Sequence, residues 1–149
     1  MPGFDKTIFM NSNLVAKITK NKLEELRISI LKNNIIDMRI YFYFPNDPEP
    51  KPTKKGIWLS FKNTPKIIGA FSELLKDTSK EINLEFEKQK AEEQLRVYTS
   101  EFKGNKLLHI RTFYKKDNVF TPGRGVSFTI EMLKDVLEAL KKAESLKEK

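Results

Sequence analysis

Apolar and polar residues alternate with a period of two along most of this chain, which predicts strands that bury one face. Leu26, Ile28 and Ile30 alternate with Arg27, Ser29 and Leu31, a half-buried strand. A turn at Lys32, Asn33 and Asn34 leads to a second strand over 35–44, with Ile36, Met38 and Ile40 inward and Asp37, Arg39, Tyr41 and Tyr43 outward. Upstream, the apolar segments 7–10 and 14–18, broken by Asn11, Ser12 and Asn13, predict one irregular strand or a small hairpin. Pro45 to Pro52 holds four prolines and reads as a stiff loop. Lys54, Lys55, Gly56, Ile57, Trp58 and Leu59 follow it as the next strand.

The period then changes. Ile67, Ala70, Phe71, Leu74 and Leu75 fall at helical spacing behind Thr64 as cap and Pro65 in the first turn. Gly69 costs this helix up to about 1 kcal/mol against alanine, tolerable if it lets another element pack closely. Ile82, Leu84 and Phe86 mark a short strand, and 88–94 a polar loop. Leu95, Val97 and Thr99 face inward from the next strand, with Arg96, Tyr98 and Phe102 outward.

From Phe102 to Phe128 the sequence predicts two antiparallel strands joined by a basic loop. Lys103, Gly104 and Asn105 make the hairpin turn before them. Leu108 and Ile110 point inward, leaving His109, Arg111 and Phe113 outside. Pro122, Gly123, Arg124 and Gly125 read as a turn with positive φ at a glycine, after which Val126 and Phe128 return to the core with Ser127 outward. Ile130, Leu133, Val136, Leu137 and Leu140 define a last helix that frays after Ala143.

Residues 102–104 (FKG), 107–114 (LLHIRTFY) and 122–128 (PGRGVSF), followed by an amphipathic helix, resemble the single-stranded-DNA-binding domain of the transcriptional coactivator PC4 family. The first half carries a more degenerate version of the same plan. Leu26, Arg27 and Ile28 correspond to Leu95, Arg96 and Val97, and Met38 and Arg39 to Ile110 and Arg111. Residues 54–59 lie over 124–128. The expected fold is therefore α+β: two tandem β-β-β-β-α units, 1–80 and 81–149, with curved antiparallel sheets. A unit this small buries a marginal core. The PC4 family supplies its partner as a second subunit and the similar Whirly proteins as a second repeat, so the resemblance implies an intramolecular pseudo-dimer with its helices packed together. Further association into rings stays open.

Composition agrees without deciding. The 149 residues carry a formal charge of +8 with a pI near 9.5, which favours a polyanionic partner. The absence of cysteine excludes disulfides and thiolate metal sites. No apolar run suits a membrane span and the start lacks a secretory pattern, so the expected location is intracellular, cytoplasm and nucleoid or nucleus. One histidine cannot build a histidine-rich zinc site. Glu85, Glu87, Glu92 and Glu93 read as a solvated face rather than a two-metal cluster. The expectation is a protein with no catalytic activity and no cofactor.

The expected function is largely sequence-nonspecific binding of single-stranded DNA, with RNA left open, in transcription, replication or repair. The cations assigned to phosphate are Arg27, Lys32, Arg39, Lys54, Lys55, Arg96, Lys103, Lys106, Arg111 and Arg124. The rings assigned to stacking are Tyr41, Tyr43, Trp58, Tyr98, Phe102, Phe113 and Tyr114. Trp58 is expected on the open face beside Arg39 and Tyr41, since Ile57 and Leu59 claim the other side. His109 could stack on a base, although a tolerated surface histidine is the commoner case. The competing reading is a protein-interaction module whose exposed aromatics form the contact patch.

Overall fold

A computed structural model describes residues 13–32, 34–88 and 90–147. The segment 7–10 lies outside them. Among the described residues, eight strands form two antiparallel sheets of four, and each sheet is followed by one helix. The first unit contains β1 (Asn13–Thr19), β2 (Glu24–Ile30), β3 (Ile36–Phe42), β4 (Lys51–Leu59) and α1 (Thr64–Lys76). The second contains β5 (Asn83–Glu87), β6 (Glu93–Phe102), β7 (Asn105–Lys116), β8 (Val119–Thr129) and α2 (Leu133–Leu146), with a 3-10 turn at Ile130–Met132 leading into α2. The strands of each sheet lie in chain order, which is what short antiparallel connections dictate.

The inward positions form one core. Leu26, Ile28, Met38, Ile57 and Leu59 from the first sheet meet Leu95, Val97, Leu108, Ile110, Val126 and Phe128 from the second. The helices lie between, packed against each other, and each reaches the other unit's sheet. Phe71 of α1 meets Phe128 of β8 edge to face with ring centroids 6.1 Å apart, while α2 packs on β1 and β2. Thr64 is fully buried where the helices meet, and its hydroxyl donates to Glu144 Oε2 at 2.6 Å.

That contact corrects the expected cap. Thr64 is the first helical residue, and Asn63 occupies the cap position without a side-chain hydrogen bond. Glu144, tied to Thr64 and to Lys147, sits in a last turn that carries α2 on to Leu146 rather than letting it fray after Ala143. Gly69 is exposed and a Cβ there would meet nothing within 4 Å, so it serves no close packing. Leu75, expected on the apolar face, is 42% exposed.

A larger correction concerns 122–125. These residues are not a turn but part of β8, and neither Gly123 nor Gly125 has positive φ. The turn is Asp117–Asn118, with φ of 52° and 63°, the paired left-handed conformation that matches the twist of a two-residue hairpin. Lys103 and Gly104 do the same between β6 and β7, with φ of 52° and 79°. Gly125 is required by proximity, because a Cβ there would run into Ile110 O and the Arg111 backbone. Pro122 is tolerated because β8 is an edge strand, as Pro52 is on the edge strand β4.

Candidate nucleic-acid interface

Outward positions of the two sheets occupy matching places in the strand ladder. Arg27 pairs with Arg39 across β2 and β3, and Arg96 with Arg111 across β6 and β7. Arg39 faces Gly56 on β4, and Arg111 faces Gly125 on β8. Register irregularities follow at Arg39/Tyr41 and at Arg111/Phe113. The side chains around these arginines differ, however. Glu25 and Asp37 in the first sheet stand where Gln94 and His109 stand in the second.

In the first sheet the carboxylates consume the arginines. Arg39, assigned above to phosphate, is only 2% exposed. It donates from Nη2 to Asp37 Oδ1 at 2.9 Å and from Nη1 to Thr53 O at 2.8 Å, while its guanidinium fills the space beside Gly56. Its outward direction was legible but its burial was not, since Asp37 and Thr53 hold it in the space that Gly56 leaves open. Burial pushes the Asp37 carboxyl up, and the neighbouring Arg39 charge only partly offsets this. Arg27 pairs with Glu25 and lies 4.3 Å from the Tyr41 ring centroid. Tyr41 itself is buried, and Tyr43, more exposed, donates from its hydroxyl to Glu25 at 3.2 Å. Trp58 lies opposite Asp37 on the outer side, half-buried, with Ile57 and Leu59 in the core. Its Nε1 is buried without a well-formed hydrogen bond, although its N–H lies near enough to Asp37 to help hold that carboxyl's pKa down.

In the second sheet the same positions hold cations and rings, with Gln94 and His109 where the first sheet has carboxylates. Arg96 places its Cζ 4.4 Å from the Phe113 centroid and 5.1 Å from that of Phe120. Its Nε donates to Gln94 Oε1 at 3.1 Å, with the half-exposed Glu85 carboxylate 3.8 Å away. Arg111 donates from Nη1 to Gly123 O at 2.8 Å and from Nη2 to Ser127 Oγ at 3.1 Å, and no carboxylate ion pair holds it among the described residues. Tyr98 stacks on His109 with centroids 4.7 Å apart and meets Phe113 edge-on at 5.8 Å. A groove of about 350 Å³ runs past Arg96, Tyr98 and Phe113 to Ile82 and Asn83.

His109 is hydrogen-bonded at both nitrogens, to Ser127 Oγ and Ser100 Oγ at 2.7 Å each. Burial, then the Arg111 charge, holds its pKa below the usual 6.5. The unfolded chain therefore binds the proton first as pH falls. The stability carried by the neutral ring is complete above 6.5 and is lost as pH drops through the folded-state value. Urea midpoints taken between about pH 7 and pH 5 should fall for the parent and flatten in His109→Gln. Equal slopes for the two proteins would refute this account of His109.

The remaining assigned residues scatter. Lys32, Lys54 and Lys55 are exposed at the turns and edge of the first sheet, Lys55 lying 4.0 Å from Glu24. Phe102, 62% exposed, and Lys103 form the tip of the β6–β7 hairpin, the ammonium 5.4 Å from the ring centroid. Lys106 is not brought to the face, because its Nζ donates to Thr78 O and Lys80 O at 2.7 Å each and pins the segment between the units. Arg124 and Tyr114 stand at the junction of the two sheets. Phe120 was missed, and the Asp117–Asn118 pair, two residues suited to left-handed turns, was the signal that would have started β8 early enough to include it.

Among the described residues no cluster of His, Cys, Asp or Glu could hold a metal ion, and no helix is long and apolar enough to cross a membrane. No curated protein matches the chain. A protein-family comparison does: residues 89–139, which include β6, β7, β8 and the first half of α2, match Transcriptional Coactivator p15 (PC4), so this part of the second unit is PC4-like.

Proposed function

We propose that the chain binds single-stranded nucleic acid, DNA in the first instance, largely without regard to sequence, and that the outer face of the second sheet does the binding. The family matched at 89–139 points to a nucleic-acid-binding, transcription-related domain. The observation that carries the finer reading is Arg96 held against Phe113 and Phe120 beside the Tyr98–His109 stack. Rings on an open sheet accept splayed bases of any sequence, and the guanidiniums beside them hold the phosphates. A duplex offers its bases only in the grooves, and the exposed positions of α1 and α2 mix lysines with acids rather than presenting a basic recognition stripe.

The first unit serves in this reading as a diverged second copy in a pseudo-dimer, closing the core while its outer arginines are spent on Glu25 and Asp37. The protein performs no chemistry of its own; it protects or presents a strand during transcription, replication or repair. Fluorescence anisotropy with labelled single-stranded DNA, the matching duplex and an RNA strand, across a salt series, tests this. Single strands should bind tightest, with log K falling at a slope of about −2 against log salt if three cations meet phosphate. Binding that ignores salt, or that favours the duplex, would overturn it.

A further inference from the structure

The groove against Tyr98 has walls of two origins. Arg96, Tyr98 and Phe113 belong to the family-matched segment 89–139, whereas Glu81, Ile82 and Asn83 precede it. Tyr98 stands between its cross-strand neighbours, His109 on β7 and Asn83 on β5. His109 stacks on its ring, and the groove of about 350 Å³ opens on the Asn83 side, since its lining includes Tyr98 and Asn83 but not His109. Its floor is fastened, because Ile82 N donates to Thr99 Oγ1 and Thr99 N to Ile82 O, each at 3.1 Å. Such a space lies at the small end of the roughly 300–1,000 Å³ of small-molecule sites, enough for one base but not for a run of them.

The polar groups at its rim are unspent. Glu87 accepts from Gln94 at 2.9 Å and Glu85 lies 3.8 Å from Arg96, but neither Glu81 nor the Asn83 amide has a side-chain partner among the described residues. Both are exposed. A carboxylate is out of place on a surface that only holds phosphates, because it repels them. It is in place if it accepts hydrogen bonds from a base, since both of its oxygens are acceptors when ionised.

We propose that the groove is a slot for one base of the bound strand, stacked on Tyr98 with its Watson–Crick edge toward Asn83 and Glu81, and that the slot prefers guanine. This rests on the strand-binding reading above and adds one read position to a strand otherwise held without regard to sequence. Guanine presents N1–H and its 2-amino group side by side, two donors for one carboxylate, with O6 next to them to accept from the Asn83 amide. Thymine presents a single N3–H between two carbonyls and sets an oxygen against Glu81. Adenine and cytosine each offer one amino group beside a ring nitrogen acceptor, which suits Asn83 but leaves Glu81 with one donor instead of two.

Anisotropy at one salt concentration, with oligothymidine and with the same strand carrying one central guanine, should show the guanine strand bound about tenfold tighter. A central hypoxanthine keeps N1–H but lacks the 2-amino group, and on the unaltered protein it should lose most of that gain. A central adenine, with a purine's ring area but one amino group, should also fall short of guanine. Glu81→Ala with Asn83→Ala, both on the exposed rim, should bring the ratio of the guanine to the thymine strand to about one. Mere relief of repulsion would tighten both strands and leave that ratio where it was. Binding of both strands with equal affinity sinks the slot and leaves the strand-binding reading standing, whereas no binding of either sinks both. An adenine strand as tight as the guanine strand means that ring area sets the preference, and a guanine preference that survives the double variant means that other residues do; either result overturns the proposal.

Discussion

Asp37→Ala is expected to destabilise the folded protein by about 3 to 5 kcal/mol, the range seen when one partner of a buried ion pair is removed. Asp37 and Arg39 are 1% and 2% exposed, and the guanidinium is fixed by Asp37, by Thr53 O and by the space that Gly56 leaves open. Without the carboxylate, a full charge stays buried and loses the anion that faces it. The pair itself is a different matter. The raised Asp37 pKa says that burial costs this carboxyl more than Arg39 returns, so Asp37→Leu with Arg39→Met should recover most of the loss. Urea unfolding of the two variants settles the point. A single variant within about 1 kcal/mol of the parent would mean that water reaches the guanidinium.

On the second sheet the largest expected effect is on binding. Arg96→Ala with Phe113→Ala removes a phosphate-holding cation and a stacking ring, and should weaken single-strand binding roughly a hundredfold, given about 1 to 3 kcal/mol per stacked base. The comparable cut on the first sheet, Lys54→Ala with Tyr43→Ala, also takes one exposed cation and one exposed ring. It should cost less than about threefold, since no rings and guanidiniums cluster there in the open. Anisotropy on the same oligonucleotide compares them directly. Equal losses would mean that both sheets bind, and that the buried Arg39–Asp37 pair does not silence the first.

How much of this the amino-acid order discloses depends on what each residue's placement rests on. Alternation placed Leu26, Met38, Leu108, Ile110, Val126 and Phe128 in the core, because a period of two is a local property of an extended chain. The extent of α1 followed, to within one residue at its start, from its apolar spacing and Pro65 for the same reason. Arg39 was different. Its direction was local, but its burial depends on Asp37, Thr53 and Gly56, the last two brought over by a strand seventeen residues away in sequence at Gly56. Gly123 and Gly125 looked like turn residues and are instead places where β7 comes too close for a Cβ, a fact that exists only after the strands have paired. The candidate face split along the same line. Arg96, Tyr98, Arg111 and Phe113 were readable from alternation, whereas Phe120 needed the right turn, and Lys106 was lost to carbonyls of a linker that pattern alone does not bring near it.

Because α1 lies on Phe128 of the second sheet and α2 on β1 and β2 of the first, each half of the chain is the other's interior. Neither half is a cassette to be trimmed away or transplanted: a fragment cut to the family-like segment would lose the helix that covers its own sheet and expose Phe128 and its neighbours to water.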